Sequence, residues 1–248
     1  MATTLERPEP TRTQPPTRTG DRFVAVAAAS LAVVLLVIQG LAGHVIPPLA
    51  IFAALYLGLG IAIGVRRSRW LLGAIIVLSL VYLVGSIPFF VANLAHPESP
   101  ASFLSEAFVV VALLTTVIGA IAGWRGARPG SRRPVAIGAA AAVGLAVVVT
   151  LVASSGVESD VAQPGDVPVE TVRSTFPERL EVPAGEAVLW VDNQDPFHHT
   201  LVVEGTDVHV ALPGSTAVRV PVDLSPGTYR YFCDVPGHER MEGEIVVG

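Results

Sequence analysis

The chain has 248 residues, of which 51% are hydrophobic and only 15% are charged. Soluble proteins usually carry about 25% charged residues, so the composition excludes an ordinary cytosolic globular protein. The net charge of −5 combines two unlike halves. Residues 1–153 carry eleven arginines and five acidic residues, whereas residues 154–248 carry five arginines and sixteen acidic residues. The single cysteine, Cys233, excludes an internal disulfide and any site that needs two protein thiolates, including a dinuclear copper centre.

The first half contains five long stretches without a charged residue or a histidine. Each stretch is 18 to 25 residues long, and roughly 20 apolar residues of helix cross a hydrocarbon core of about 30 Å. We therefore predict a membrane domain over residues 23–153 with five transmembrane helices, at 23–43, 45–65, 70–94, 107–124 and 135–153. Buried helices of a large soluble protein are the alternative, but too little polar chain remains to cover them.

The arginines of this half predict how the helices are oriented. All eleven lie in the N-terminal tail of residues 1–22 or in the second and fourth loops, and none lies in the first or third loop. Since cytoplasmic loops are rich in basic residues, the tail is predicted to be cytoplasmic and the chain after the fifth helix extracytoplasmic. A cleaved signal peptide is the competing interpretation of residues 1–43. It is disfavoured because the apolar stretch is longer than a typical signal peptide's and no cleavage site follows.

The predicted spans contain no histidine or carboxylate that could bind haem or conduct protons. His44 and His96 lie in the first and third loops, where a pair of haem or copper ligands is conceivable, although loop histidines are usually only solvated. The simplest interpretation of this half is a membrane anchor.

The second half has the pattern of a small β domain. A polar, acidic linker is predicted at residues 154–168. Short β-rich runs separated by Pro, Gly and Asn turns then indicate an antiparallel sandwich or barrel over residues 169–248. The predicted strands are Val169–Arg173, Arg179–Val182, Ala187–Val191, His199–Val203, Thr216–Val222, Thr228–Cys233 and Glu244–Val247. The fold class is thus mixed, with a transmembrane α-helical segment followed by an all-β domain.

The β domain contains a candidate metal site. Cys233, His238 and Met241 fall within nine residues between two predicted strands, and His198 and His199 begin an earlier strand. Two imidazoles, one thiolate and a weak thioether form the ligand set of a blue-copper site, in which sulfur suits Cu(I) and imidazole also suits Cu(II). Zinc is the chemical alternative, but methionine is a poor zinc ligand. Taken singly, each of these residues would more often be an ordinary core or surface residue.

Three stretches of the second half resemble the cupredoxins, the plastocyanin- and azurin-like superfamily. They are Val182-Pro183-Ala184-Gly185-Glu186, the segment from Trp190 to Thr200, and the segment from Tyr229 to Gly243 that contains Cys-Asp-Val-Pro-Gly-His-x-x-Met. The resemblance implies a Greek-key sandwich, one mononuclear type 1 copper ion and one-electron transfer. It also implies that the ligands are His199, Cys233, His238 and Met241, with His198 as the second choice for His199.

Two features depart from the family pattern. Only two residues separate His238 from Met241, which makes Met241 a distant axial ligand in expectation and leaves the reduction potential open. His198 and His199 are adjacent, and successive strand residues face opposite sides, so only one of them can reach the copper ion. His209 lies outside the ligand pattern and is expected at the surface. The resemblance further implies that His238, beside the apolar Val235-Pro236-Gly237, is the port through which electrons pass.

The main functional hypothesis is a membrane-anchored electron carrier. The expected partners are the lipid bilayer and a redox protein with a basic docking face, because residues 154–248 carry a charge of −11; no nucleic-acid partner is expected. The alternative is copper binding for storage, sensing or delivery, which would favour exposed Met- or His-rich tracts. An enzyme is the third class, but six histidines leave too few for a second copper centre.

Overall fold

The computed structural model describes residues 19–66, 68–127 and 132–248, and side chains from Arg22 onward. Six helices and then eight strands follow one another in the described residues. The helices are α1 (Thr19–Ala42), α2 (Pro47–Val65), α3 (Arg69–Gly85), α4 (Ile87–Leu94), α5 (Pro100–Trp124) and α6 (Arg133–Ser154). Most of the predicted N-terminal tail, as well as Arg67 and Arg128, lies outside the described residues.

Prolines mark the first turn of four helices. Proline lies in the first two positions of α2, α4, α5 and α6, where its missing N–H costs no hydrogen bond. The helices are apolar on most of their surface, and their common core includes α1, which packs against α2 and α5. Such all-round apolar helices are typical of segments that lie in lipid.

Within the described part of the chain, four helices are long and apolar enough to cross a membrane, namely α1 from Arg22, α2, α5 and α6. The predicted span 70–94 is divided into α3 and α4, which are bent by 59° at Ser86, and the pair brings the number to five if it forms one broken span. Helix α5 begins seven residues before the predicted span 107–124. It includes Glu106, whose carboxyl accepts a hydrogen bond from Asn93 Nδ2 at 3.1 Å.

The β domain is a sandwich of two sheets. Its strands are β1 (Val167–Thr171), β2 (Arg179–Val182), β3 (Gly185–Asn193), β4 (His199–Val203), β5 (His209–Leu212), β6 (Thr216–Leu224), β7 (Gly227–Phe232) and β8 (Glu242–Val247). One sheet has the order β1-β3-β6 and the other the order β2-β8-β7-β4-β5. The β1–β3 and β2–β8 pairs are parallel, and the remaining pairs are antiparallel.

The inner faces of both sheets bury one apolar core, to which alternate residues of each strand contribute. Strand β5 was not predicted from the sequence; it pairs with β4 at the edge of the larger sheet, with His199 opposite Leu212. The predicted fold class is confirmed: a helical region is followed by an all-β Greek-key sandwich. The end of the sandwich where β4 begins and β7 ends holds the candidate site.

Candidate metal centre

The candidate site is assembled by one strand and one loop. His199 is the first residue of β4, and Cys233 directly follows β7, which pairs with β4 in the same sheet. His238 and Met241 lie in the loop between β7 and β8. Three backbone hydrogen bonds close this loop on itself: Cys233 N–H to the Met241 carbonyl at 2.9 Å, Met241 N–H to the His238 carbonyl at 2.8 Å, and His238 N–H to the Val235 carbonyl at 3.1 Å.

The donor atoms of three side chains converge. The Nδ1 atoms of His199 and His238 lie 3.1 Å apart, and Cys233 Sγ lies 3.5 Å from His238 Nδ1 and 4.0 Å from His199 Nδ1. Among the described residues, these three form the group of histidine, cysteine and acidic side chains whose donor atoms all lie within 4.8 Å of one another. His199 and Cys233 are buried, whereas His238 is partly exposed.

Neighbouring groups favour the thiolate form of the cysteine. Burial alone would raise the pKa of the Cys233 thiol, but hydrogen bonds with His199, His238 and Thr200 lower it to about 5. The Thr200 backbone N–H lies 3.4 Å from Sγ and donates to it. A thiolate is the form that binds metals, so the site is set up for a cation before any cation arrives.

A carboxylate behind His199 sets the orientation of its ring. Asp195 Oδ2 accepts a hydrogen bond from His199 Nε2 at 3.0 Å, which leaves Nδ1 facing Cys233. Burial lowers the pKa of His199, but Asp195 and Cys233 outweigh it and the net direction is upward. A carboxylate bound to the outer nitrogen of a histidine is the usual arrangement around metal-binding imidazoles.

Comparisons with known proteins find a match to the C-terminal part of the chain. Residues 142–247 match the family described as the cupredoxin-like domain. The chain carries a cupredoxin-like domain. Cytochrome c oxidase subunit 2 from Thermus thermophilus is 35% identical over 75 residues, which are 29% of this chain and 56% of that protein. The chain thus spans about half the length of this curated relative.

Two solved structures are also similar to part of the chain. Auracyanin B is 22% identical, with 36% of this chain and 92% of that chain covered and a TM-score of 0.30. A copper-containing nitrite reductase from Thermus scotoductus is 25% identical, with 38% of this chain and 24% of that chain covered and a TM-score of 0.28.

Copper fits the donor atoms that the cupredoxin-like domain presents. Bonds of about 2.0–2.3 Å from one small metal ion to nitrogen and sulfur place the donor atoms about 3–4 Å apart, as is found here. The two Nδ1 atoms lie 3.1 Å apart and both approach Cys233 Sγ, so one small cation fits between the three donor atoms. The soft thiolate with two imidazoles is a set that copper accepts in both oxidation states. The predicted cofactor, copper, is thereby confirmed.

Met241, the fourth predicted ligand, is fully buried in the same core cluster as Cys233. Its backbone is bonded to both Cys233 and His238, so it cannot move independently of them. These bonds hold the Met241 backbone beside Cys233 and His238.

The structure distinguishes the two adjacent histidines. His199 enters the cluster, whereas the ring of His198 stacks on the ring of His96 from the loop between α4 and α5, with centroids 4.5 Å apart. His209 lies on β5 at the surface, and its Nε2 is 3.3 Å from Asp234 Oδ2. His198 lies just before β4, of which His199 is the first residue, and the two rings therefore meet different groups.

Sequence reasoning missed the residues that surround the ligands. Asp195 and Thr200 both occur in the stretch that resembles cupredoxins, but neither was assigned a role. Asp234 accepts a hydrogen bond from Thr200 Oγ1 at 2.7 Å and links β4 to the residue after Cys233. The position of Asp195, four residues before His199 in a loop, was the available signal for a carboxylate behind the ligand.

Proposed function

We propose that this protein is a membrane-anchored type 1 blue-copper protein that carries single electrons between redox partners on the extracytoplasmic side. The observation that carries the proposal is the convergence of His199, Cys233 and His238 in a mostly buried site of a cupredoxin-like domain. We propose these three residues, with Met241 as a weak axial donor, as the copper ligands. Bound copper would supply the one-electron couple.

The protein's own residues keep the cost of changing oxidation state small. The loop that carries three of the ligands is closed by backbone hydrogen bonds, and Asp195 and Thr200 hold the ring of His199 and the sulfur of Cys233. Burial excludes water from the His199 side, while partly exposed His238 offers a short route to the surface. A rigid site with one exposed edge suits an electron carrier more than a protein that releases its metal.

The helical region supports the proposed membrane location. Four of its described helices are long and apolar enough to span a bilayer, and five crossings result if α3 and α4 form one span. Among the described residues, the arginines of this region lie in or beside the loops that the positive-inside rule assigns to the cytoplasm. An odd number of crossings then places the cupredoxin-like domain outside.

We propose a carrier rather than an oxidase or reductase. The curated relative is a subunit of an oxidase, so a cupredoxin-like domain is compatible with participation in an enzyme. In this chain, however, a single cysteine and six histidines do not provide a second copper centre beside the proposed one.

The visible and paramagnetic-resonance spectra of the copper-loaded full chain test the proposal. We expect an intense blue charge-transfer band that disappears in Cys233→Ser and His199→Ala and persists in His198→Ala. Absence of the band from the oxidised, copper-loaded chain would contradict a type 1 site. Rapid loss of copper to a mild chelator without reversible redox behaviour would instead support copper delivery. Turnover of a substrate with more than one copper ion per chain would support an enzyme.

A further inference from the structure

The metal-binding end of the cupredoxin-like domain rests on the helical region. The backbone N–H of His198 donates to Ser102 Oγ at 2.9 Å, and the backbone N–H of Gly214 donates to Ser99 Oγ at 3.3 Å. The rings of His198 and His96 are stacked with an interplanar angle of 27°. Two separate loops of the β domain therefore contact the loop between α4 and α5 and the first turn of α5.

The Ser99 hydroxyl bonds the β domain and not the first turn of its own helix. It is the N-cap residue of α5, and an N-cap serine ordinarily accepts a hydrogen bond from the first turn of its helix. Among the described residues, the Ser99 side chain makes no such cap bond, and it receives the Gly214 N–H instead. Ser99 is 0% exposed and Ser102 is 2% exposed. Their partner His198 is also buried, whereas Gly214 is partly exposed.

The α4–α5 loop is held in a shape that presents His96. Thr150 Oγ1 on α6 donates to the Pro97 carbonyl at 2.6 Å, which ties the loop to a third helix. The His96 ring is held by a second contact, since its Nδ1 atom lies 2.7 Å from Glu98 Oε1. These contacts orient the His96 ring so that one of its faces stacks on the ring of His198.

The linker after α6 restricts the β domain to the neighbourhood of this loop. Ser159 Oγ accepts the Ala217 N–H at 2.9 Å, and Asp160 bonds the backbone of Ala217 and Arg219 on β6. The Arg219 guanidinium in turn binds the Asp166 carboxylate with two hydrogen bonds at 2.8 Å. Only residues 155–158 separate the end of α6 from these contacts, and four residues reach at most about 14 Å.

The other edge of the site also meets a helix. A Cβ atom at Gly237 would lie 3.1 Å from Phe89 Cε1 on α4, so the residue before His238 is packed against this ring. His238 itself stays partly exposed. The helical region thus contacts both the His198 side of the site and Gly237, while the His238 side chain stays partly exposed.

We propose that the α4–α5 loop and the first turn of α5 are a docking surface for the metal-binding end of the cupredoxin-like domain. His96, Ser99 and Ser102 are its contact residues, and the partner is the face formed by His198 and Gly214 of the same chain. The helical region then forms one wall of the metal centre and does more than anchor it. The surface involves no metal ligand, so it stands or falls separately from the proposed electron-carrier function.

Hydrogen exchange of the full chain in lipid nanodiscs, resolved to single amides, tests the surface without any metal. In the wild-type chain we expect the His198 and Gly214 amides to be protected. In the variant His96→Ala/Ser99→Ala/Ser102→Ala we expect both to exchange at least about tenfold faster, because their acceptors are lost and the face opens to water. Amides in the centre of β4 and β7 should be unchanged, since the sandwich does not depend on these contacts.

The control is the variant His44→Ala/Ser105→Ala. It removes a histidine from the loop between α1 and α2 and a serine one turn after Ser102 on α5. Its His198 and Gly214 amides should exchange as in the wild type. Carbethoxylation by diethyl pyrocarbonate gives a second measurement: relative to exposed His209, His198 should react several-fold faster in the triple variant than in the wild type. If the wild-type amides exchange at the rate of an unfolded peptide, or if wild type and triple variant agree in both measurements, the proposal is wrong. If the β4 amides of the triple variant lose their protection from exchange, the single variant Ser102→Ala is measured in place of the triple variant.

Discussion

Asp195 joins the proposed ligand His199 to a strained turn. Besides His199 Nε2, its carboxylate accepts the backbone N–H groups of Arg173 and Ser174, both at 2.7 Å. These two residues have φ values of 53° and 54°, a region that non-glycine residues rarely adopt. Burial would raise the pKa of Asp195, but its three donors hold it below its ordinary value. The side chain is therefore an ionised acceptor that fixes both the turn and the imidazole.

We predict that Asp195→Asn weakens copper binding about tenfold or more, since replacement of a carboxylate behind a histidine ligand has that effect in other metal sites. The amide is a poorer acceptor for Nε2–H, so His199 loses basicity and orientation. Competition titration with a chelator of known affinity measures the change. Asp192→Asn is the matched control, because Asp192 bonds only exposed Gln194 and lies outside the site. Equal affinities of wild type and Asp195→Asn would contradict the role.

The thiol of Cys233 gives a second prediction at the residue scale. In the copper-free chain we expect thiolate absorbance in the ultraviolet to appear with a midpoint of about pH 5, well below the ordinary value of 9.0. Because the folded pKa is lowered, the resulting stabilisation is complete above the unfolded pKa and is lost as the pH falls through the folded value. Cys233→Ser provides the background, and a midpoint near the ordinary value would show that the neighbouring histidines do not stabilise the thiolate.

At the scale of elements, strand β8 is packed so closely that one of its residues must be glycine. A Cβ atom at Gly243 would lie 2.2 Å from the Pro177 carbonyl oxygen and 2.7 Å from the ring of Tyr231. The carbonyl belongs to the backbone and cannot rotate away. Tyr231 is fully buried and its hydroxyl donates to the same carbonyl, so the ring is fixed as well.

We predict that Gly243→Ala lowers the free energy of unfolding of the β domain by about 1–3 kcal/mol, the usual cost of overpacking. Urea unfolding followed by the fluorescence of Trp190, in a chain with Trp70 and Trp124 replaced by Phe, measures it. Gly248→Ala is the control, because no atom lies within 4 Å of the Cβ position there. An unchanged midpoint in Gly243→Ala would mean that the strand can shift to accommodate the methyl group.

Helices and strands differ in how well the sequence pattern predicts them. Charge-free stretches predicted the helices, because lipid excludes charge along the whole span. The pattern located the start of α5 too late, since the buried carboxyl of Glu106 is accommodated by Asn93. Strand β5 has only four residues, and its pairing with β4 depends on a neighbour far along the chain. The bend at Ser86, by contrast, has a local cause: Pro88 in the first turn of α4 has no N–H to donate to the preceding turn.

At the scale of the whole molecule, the two halves have opposite charge. Residues 154–248, the linker and the β domain together, carry a charge of −11. This charge should attract a basic redox partner, and dissolved salt should screen the attraction. We predict that the second-order rate constant for electron exchange with a basic cytochrome c falls several-fold as ionic strength rises from about 0.01 to about 0.1 M, where the Debye length shrinks from about 30 to about 10 Å. Stopped-flow measurement of the full chain tests this.

An acidic redox protein of similar size and potential is the matched control, and its rate constant should rise with salt. If neither rate constant depends on ionic strength, the acidic residues keep the domain soluble and do not steer a partner.

The sequence by itself determined the features that depend on neighbouring residues. The long apolar stretches, the one-sided arginines and the closely spaced Cys233, His238 and Met241 are local patterns, and each follows from a local constraint such as helix length or loop length. Only the tertiary structure decided that His199 turns towards the cysteine while His198 turns towards His96, and that Asp195 lies behind the ligand. It also decided that the metal-binding end meets the α4–α5 loop. These contacts join residues up to 115 positions apart, and pairing between distant segments depends on how the whole chain packs.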